Sequence, residues 1–138
     1  MIENLTLQVR NAIEAIAPAS QTAEQWLKQQ GMSPDAGFFV SLAFEELVSN
    51  CVRHGYDDEE EHIIDVVLTL SQQTLTILVV DDGRAFDASK APPPDLSLDI
   101  EKRPVGGLGI HLLRELTDSM SYERRGGKNR LTLTKKLD

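Results

Sequence analysis

The chain has 138 residues, of which 41% are hydrophobic and 26% charged, and these values predict one domain with a substantial core. Its net charge of −8 argues against binding to nucleic acid, because such binding depends largely on neutralising phosphates with Lys and Arg. With one cysteine, Cys51, no internal disulfide can form. No apolar run reaches the ~18 to 20 residues of a membrane span, and the N-terminus lacks the features of a signal peptide. A soluble cytoplasmic protein without a membrane partner is the simplest expectation.

Apolar periodicity predicts elements in the order β-α-α-β-β-loop-α-β-β. Period-two alternation indicates the strands, and a period near 3.6 bounded by Gly or Pro indicates the helices. The predicted elements are a strand over about 2–9, helices over about 19–30 and 34–53, strands over about 63–71 and 75–80, a helix over about 108–117, and strands over about 119–124 and 130–137. This order predicts an α+β two-layer α/β sandwich with helices on one face of a mixed, mostly antiparallel sheet.

The stretch from Gly83 to Pro104 has no regular pattern. Its Pro92-Pro93-Pro94 run can continue neither a helix nor a central strand. Irregular loops of this length within a compact domain are usually functional or disordered.

The second predicted helix carries the first candidate site, Glu46-x-x-x-Asn50 followed by His54-Gly55. Glu46 and Asn50 are spaced i, i+4 and stack on one side of a helix, whereas Glu45 points away. An Asn carbonyl is a ligand that Mg²⁺ accepts, and a carboxylate one turn earlier can take a proton from an attacking hydroxyl. The alternative is an exposed polar stripe, with His54 as a helix-terminal residue.

Asp81-Asp82-Gly83 ends the apolar strand that precedes it. The Asp81 carboxylate at this position could accept a hydrogen bond from the exocyclic amine of adenine. Gly83, lacking Cβ, would let a flat ring approach the backbone. The alternative is an ordinary turn, because Asp-Gly is a favoured turn pair.

Gly106-Gly107-Leu108-Gly109 opens the third predicted helix. First-turn N–H groups of a helix lack internal partners and attract anions, so this loop is a candidate phosphate site. It fits neither the P-loop pattern nor the dinucleotide-binding glycine spacing. The alternative is a flexible hinge. The three clusters together, in this order, indicate a nucleotide pocket.

At these residues the chain closely resembles the GHKL ATPase superfamily, and most of all its small bacterial anti-sigma-factor serine/threonine kinases. The N-box matches Glu46, Asn50 and His54-Gly55-Tyr56, the G1 box matches Asp81 and Gly83, and the G2 box matches Gly107-Leu108-Gly109. The resemblance covers nearly the whole chain and implies a single histidine-kinase-like ATPase domain over 1–138 with the Bergerat-type ATP-binding fold.

The resemblance also implies roles for the matched residues. Glu46 would be the general base, Asn50 the Mg²⁺ ligand and Asp81 the residue that binds the adenine amine of ATP or ADP. The cofactor-binding set would be completed by the following residues: His54, Gly83, Gly106, Gly107, Leu108, Gly109 and Ile110. The stretch from Ala85 to Val105 would be the ATP lid, with Lys90, Lys102 or Arg103 touching phosphates.

Family members phosphorylate a serine of a small anti-anti-sigma (STAS-type) partner and bind a sigma factor, and relatives often form homodimers. The sequence departs from the family pattern at Ala85, where a second glycine is usual, and at Lys128-Asn129, where Thr usually follows the glycine. A second hypothesis is therefore a partner-switching module that binds nucleotide without transferring phosphate. A histidine-kinase catalytic domain is disfavoured, since no helix pair with a phosphoacceptor His precedes the N-box, and an α+β scaffold with coincidental motifs is the remaining alternative.

Overall fold

A computed structural model describes residues 2–90 and 107–137 of the chain. The predicted order of elements is confirmed throughout these residues. The elements are β1 (Ile2–Arg10), α1 (Ile16–Gln29), α2 (Pro34–Ala43), α3 (Ser49–His54), β2 (Ile63–Ser71), β3 (Thr74–Asp81), α4 (Gly107–Leu116), β4 (Ser119–Arg125) and β5 (Lys128–Lys136).

The five strands form one sheet in the order β1-β2-β3-β5-β4. All four of its strand pairs are antiparallel in the described residues, so the expectation of a mostly antiparallel sheet is confirmed and no parallel pair is found there. The connection from β3 to its other neighbour β5 passes through α4 and β4. The predicted two-layer sandwich is confirmed, and its sheet is simpler than expected.

Period-two alternation places the core on one face of the sheet. Alternate residues of β2, β3 and β5 are buried in one cluster with residues of the helices. The largest fully buried side chains include Phe44, Leu27, Ile64, Leu68, Leu75, Ile77, Ile110, Leu113 and Leu133. Within the described residues, no helix has both the length and the apolar character needed to cross a bilayer.

Tight turns fix the register of both hairpins. Gln72 and Gln73 have positive φ angles of 50° and 68° between β2 and β3, and Gly126 and Gly127 have 61° and 77° between β4 and β5. Positive φ at both central residues is the geometry of a two-residue hairpin turn that suits twisted strands. The second turn brings Asn129 to a fixed place in β5, directly opposite Asp81 of β3.

The second predicted helix is not regular along its length. A π-helical turn over Phe44–Val48 separates α2 from α3, and such turns within helices are frequent at functional sites. The spacing argument that stacked Glu46 directly under Asn50 assumed about 100° per residue, and this does not hold through the π turn. The sequence prediction of one uninterrupted helix is therefore wrong at the position of Glu46.

Candidate nucleotide site

A cleft of about 350 Å³ lies between α3 and the ends of β3 and β5, within the size range of small-molecule sites. Apolar side chains line much of its surface, which suits a flat aromatic ring. The lining residues include Leu47, Val79, Phe86, Ala88, Tyr122 and Leu131, together with the polar Asn50, His54, Asp81 and Asn129. The cleft thus joins the N-box helix to the end of β3, as the sequence predicted.

Asp81 lies at the inner end of this cleft and is only 7% exposed. Its Oδ1 accepts hydrogen bonds from Gly83 N at 2.9 Å and from Asn129 Nδ2 at 3.0 Å. Its Oδ2 accepts a weak bond from the Cys51 thiol, at 3.4 Å. The two N–H donors to Asp81 among the described residues therefore both bind Oδ1. Oδ2 can still accept a hydrogen bond from a ligand.

The thiol of Cys51 donates its hydrogen bond to Asp81 Oδ2. Burial, followed by the negative charge of Asp81 and the hydrogen bond to it, raises the pKa of Cys51 well above its usual value. Cys51 packs against the core cluster and also lines the cleft.

Gly83 is required by close packing of the backbone. A Cβ at this position would lie 2.7 Å from the Gly55 carbonyl oxygen and 3.0 Å from Asp81 Oδ1. Arg84 N also donates to that same Gly55 oxygen, at 2.8 Å. The end of β3 is thereby joined to the end of α3, so the two sides of the cleft are held at a fixed separation.

Asn50 and His54 both line the cleft from α3. Asn50 Nδ2 is buried and has no hydrogen-bond partner among the described residues, an arrangement that is unusual for a buried amide and calls for an explanation. The amide group can therefore turn toward a ligand without losing a protein hydrogen bond from its nitrogen.

Glu46 does not line this cleft with Asn50 but contacts the first turn of α4. A Cβ added to Gly109 would overlap the Glu46 carboxylate. Burial, and then the neighbouring charge of Glu45, raises the pKa of Glu46, while Arg53 opposes this shift. Glu46 is half-buried and Glu45 is exposed, so Glu46 has the more protected carboxylate.

The remaining predicted site residues divide between described and undescribed parts of the chain. Gly107 and Leu108 belong to the first turn of α4. Ile110 is 0% exposed in the core, and its part in cofactor binding stays a prediction. Gly106 and the lid residues beyond Lys90, including Lys102 and Arg103, lie outside the described residues.

Sequence reasoning noticed Asn129 only as a departure from the family pattern. The structure gives it a defined partner, because its amide donates to Asp81. Tyr122 and Arg124, which sequence reasoning did not select, both donate hydrogen bonds to Asn129 Oδ1. Knowledge of how β5 pairs with β3 and with β4 would have identified these residues, because that register places them beside Asp81.

A glycine-rich helix start, a π turn with Glu46 that leads into the helix of Asn50, and a buried Asp at a strand end are together the arrangement expected from the motifs of an ATP-binding fold. Residues 9–135 match the sequence family described as the histidine kinase-like ATPase domain, and the chain belongs to that family.

Relatives within this family are bacterial kinases. The chain is 28% identical over 126 residues to the serine/threonine-protein kinase BtrW of Bordetella bronchiseptica, covering 88% of this chain and 89% of that protein. It is 29% identical over 122 residues to the serine-protein kinase RsbW of Bacillus cereus, covering 86% of this chain and 76% of the relative.

Two solved structures share the fold. The RsbU and RsbW domains of Rv1364c from Mycobacterium tuberculosis match with a TM-score of 0.70 and 20% identity, over 98% of this chain and 32% of theirs. This chain thus spans about a third of that larger protein. The SiaB–SiaC complex of Pseudomonas aeruginosa matches with a TM-score of 0.58 and 14% identity, over 95% of this chain and 88% of that one.

Proposed function

We propose that this protein is a Mg-ATP-dependent serine/threonine kinase that acts on a STAS-type anti-anti-sigma partner and also binds a sigma factor. The observation that carries this proposal is the Asp81 carboxylate at the inner end of an apolar cleft, with Oδ1 held by two N–H donors. The names of the curated relatives support kinase activity. A cytoplasmic location and a homodimer remain predictions from the sequence.

Asp81 would select the base. Its Oδ2 would accept a hydrogen bond from an exocyclic amine, and the apolar lining from Leu47 and Phe86 would cover the ring faces. A hydrogen bond to a charged group contributes on the order of 1.5–3 kcal/mol. Most of the base selectivity of the cleft would therefore come from this one carboxylate.

The donor set of the cleft fits a magnesium ion. Asn50 would offer its carbonyl oxygen, since its Nδ2 has no partner to lose among the described residues, and water and phosphate oxygens would complete the coordination that Mg²⁺ prefers. The ion would supply positive charge that neutralises the phosphates. His54, which lines the cleft one helical turn beyond Asn50, would face the same ligand.

Glu46 would act as the general base. Its raised pKa makes its carboxylate a better proton acceptor than that of an ordinary glutamate. In the transfer step, the serine oxygen of the partner would bond to the γ-phosphorus as the bond to the β–γ bridging oxygen breaks. The serine proton would pass to Glu46, and ADP would leave.

The phosphates would lie at the start of α4, where glycines allow a close approach and the first N–H groups have no partner within the helix. Gly107 and Gly109 belong to that turn, and Gly106 precedes it. Lys90 ends the described part of the predicted lid, next to the cleft residue Ala88, and would approach the phosphates from there.

Calorimetric titration with Mg-ATP tests the pocket. We expect Asp81→Asn to weaken ATP binding by at least about tenfold, because the substitution removes a charged acceptor. Asp65→Asn is the matched control, since Asp65 occupies an outward-facing position of β2 and should leave the affinity unchanged. Equal affinity of wild type and Asp81→Asn would refute the assignment of the pocket.

Radiolabel transfer from ATP to a STAS-type protein of the same organism tests the chemistry. Glu46→Gln should bind ATP normally and lose phosphate transfer by about 100-fold or more. Glu45→Gln, on the neighbouring exposed residue, should retain transfer at pH 8. If wild type binds ATP tightly but transfers phosphate to no such partner, the nucleotide-binding switch module becomes the better description.

A further inference from the structure

The guanidinium of Arg124 connects three segments around the inner end of the cleft. From the edge strand β4, its Nη1 donates to the Gly83 carbonyl at 3.0 Å and to Asn129 Oδ1 at 3.0 Å. Its Nη2 donates to the Gly127 carbonyl at 3.4 Å. One side chain thus holds the turn after β3, the start of β5 and the β4–β5 turn together.

Asn129 uses the full hydrogen-bonding capacity of its amide. It is 5% exposed, and its Nδ2 donates to Asp81 Oδ1 at 3.0 Å and to the Arg84 carbonyl at 2.8 Å. Its Oδ1 accepts from the Tyr122 hydroxyl and from Arg124. With two acceptors at one end and two donors at the other, the amide can take only one orientation.

The chain of contacts gives Asp81 a fixed orientation. Arg124 places a positive charge on the oxygen end of the Asn129 amide, and linked hydrogen bonds polarise one another. The N–H bond to Asp81 Oδ1 is strengthened as a result. Since Gly83 N binds the same oxygen, rotation of the carboxylate away from this position would break two hydrogen bonds.

We propose that Arg124 and Asn129 are positioning residues that set the base selectivity of the cleft. They hold Oδ1 of Asp81 so that Oδ2 points at the exocyclic amine of a 6-aminopurine. This inference rests on the nucleotide binding proposed above and adds the residues that make the carboxylate selective. Neither residue needs to touch the nucleotide to have this effect.

The test compares the affinities for ATP and for purine riboside triphosphate, which lacks the exocyclic amine. We expect Arg124→Met to weaken ATP binding by about tenfold and binding of the amine-free analogue by less than about twofold. Arg124→Lys, which keeps the charge and one donor, should recover part of the preference. Arg125→Met is the matched control, because Arg125 is the next residue of the same strand and pairs with exposed Glu123. The preference of Arg125→Met for ATP over the amine-free analogue should equal that of wild type.

Asn129→Thr gives an independent second test through the buried member of the pair. Threonine can supply one donor to Asp81 but not a second to the Arg84 carbonyl, so the preference for ATP should fall by several fold. Thermal unfolding of every variant confirms that it is folded.

An equal loss for both nucleotides would overturn the inference, since a general disturbance of the cleft does not discriminate between bases. The inference would also be overturned if Arg124→Met preferred ATP over the amine-free analogue as strongly as Arg125→Met does. If Asp81→Asn loses the preference while Arg124→Met and Asn129→Thr keep it, the positioning role alone fails. If wild type binds neither nucleotide, the proposed function fails as well.

Discussion

Gly109 lies so close to Glu46 that a Cβ at position 109 would overlap the Glu46 carboxylate. The first turn of α4 is thereby brought against the π turn that follows α2. Free N–H groups and the helix dipole favour a carboxylate at such a helix start. The absence of a side chain at Gly109 therefore sets the distance between the candidate base and the candidate phosphate loop.

Gly109→Ala should reduce phosphate transfer by about 10- to 100-fold, because a displacement of about 1 Å in a reacting group can cost that much. The stability of the fold should change little. The overlapping atoms are the end of a flexible side chain, and alanine is a better helix former than glycine by ~1 kcal/mol. Transfer assays and urea unfolding on the same preparations measure the two effects separately.

Gly37→Ala is the matched control for this variant. Gly37 is also helical, and a Cβ there would be 3.8 Å from the nearest atom, Glu24 Cγ, which is an ordinary contact. Transfer should be unchanged in Gly37→Ala. Wild-type transfer rates in Gly109→Ala would contradict the role given to this contact.

Gly83→Ala should instead destabilise the fold, by about 1–3 kcal/mol. The added Cβ would meet the Gly55 carbonyl oxygen at 2.7 Å, and backbone on both sides of this contact cannot move aside as a side chain can. Urea unfolding measures the change in the free energy of unfolding. An unchanged midpoint would mean that the ends of α3 and β3 can move apart at no cost, and the close contact of Gly83 with Gly55 would then not be needed for stability.

The strands and most helices were predictable because their signals are local. Leu5, Leu7 and Val9 alternate with polar residues, and the structure pairs this stretch with β2 along its whole length. The Gly126–Gly127 pair lies between the strands predicted over about 119–124 and 130–137, and the structure has its turn there. The family, the sandwich and the approach of the N-box helix to Asp81 followed from such signals and from the motifs, and are confirmed by the structure and the family match.

Other features depend on contacts between distant segments, which a local pattern does not contain. The π turn at Glu46 has no signature in the spacing of apolar residues. The pairing of Asn129 with Asp81 requires β5 to lie beside β3, across a connection that includes α4 and β4. Gly83 was assigned to ring approach, whereas the described atoms nearest to an added Cβ belong to Gly55 and Asp81.

His62 should make the stability of the fold depend on pH. The hydrogen bond to Asp58 is the main cause that raises the pKa of His62, and the hydrogen bond to Asp82 adds to it, whereas desolvation acts in the opposite direction. The His62 ring also stacks on the Tyr56 ring, with 4.2 Å between the ring centroids. A raised pKa in the folded state stabilises the fold fully below the unfolded value of about 6.5. This contribution is lost as pH rises through the folded pKa.

Asp82 determines how the stabilisation from its contact with His62 changes at low pH. Burial alone would raise its pKa, but the hydrogen bond and charge of His62 lower it overall. Its contribution is therefore present above the ordinary pKa of about 3.9 and is lost as pH falls through the lower folded value. The pair should stabilise the fold most between these two limits, and by a modest amount because both carboxylate partners are about half exposed.

His62→Gln should flatten the decline in unfolding free energy between pH 6 and pH 8.5, measured by urea denaturation. His111→Gln is the control, since His111 has only an i, i+4 contact of 3.9 Å with exposed Glu115 among its described ion pairs. The decline should be flatter in His62→Gln than in this control variant. An equally steep decline in His62→Gln would show that other groups cause it.

The pH profile of phosphate transfer should report the ionisation of Glu46. A general base must be deprotonated, so kcat/KM should rise with pH through the raised pKa of Glu46 and then level off. Since Glu45 raises that pKa and Arg53 lowers it, Glu45→Gln should move the acid limb to lower pH and Arg53→Met to higher pH. Arg53 also lines the cleft, so its absolute rate can change. Opposite displacements of the limb would identify the titrating group as Glu46, whereas an unmoved limb in both variants would assign it elsewhere.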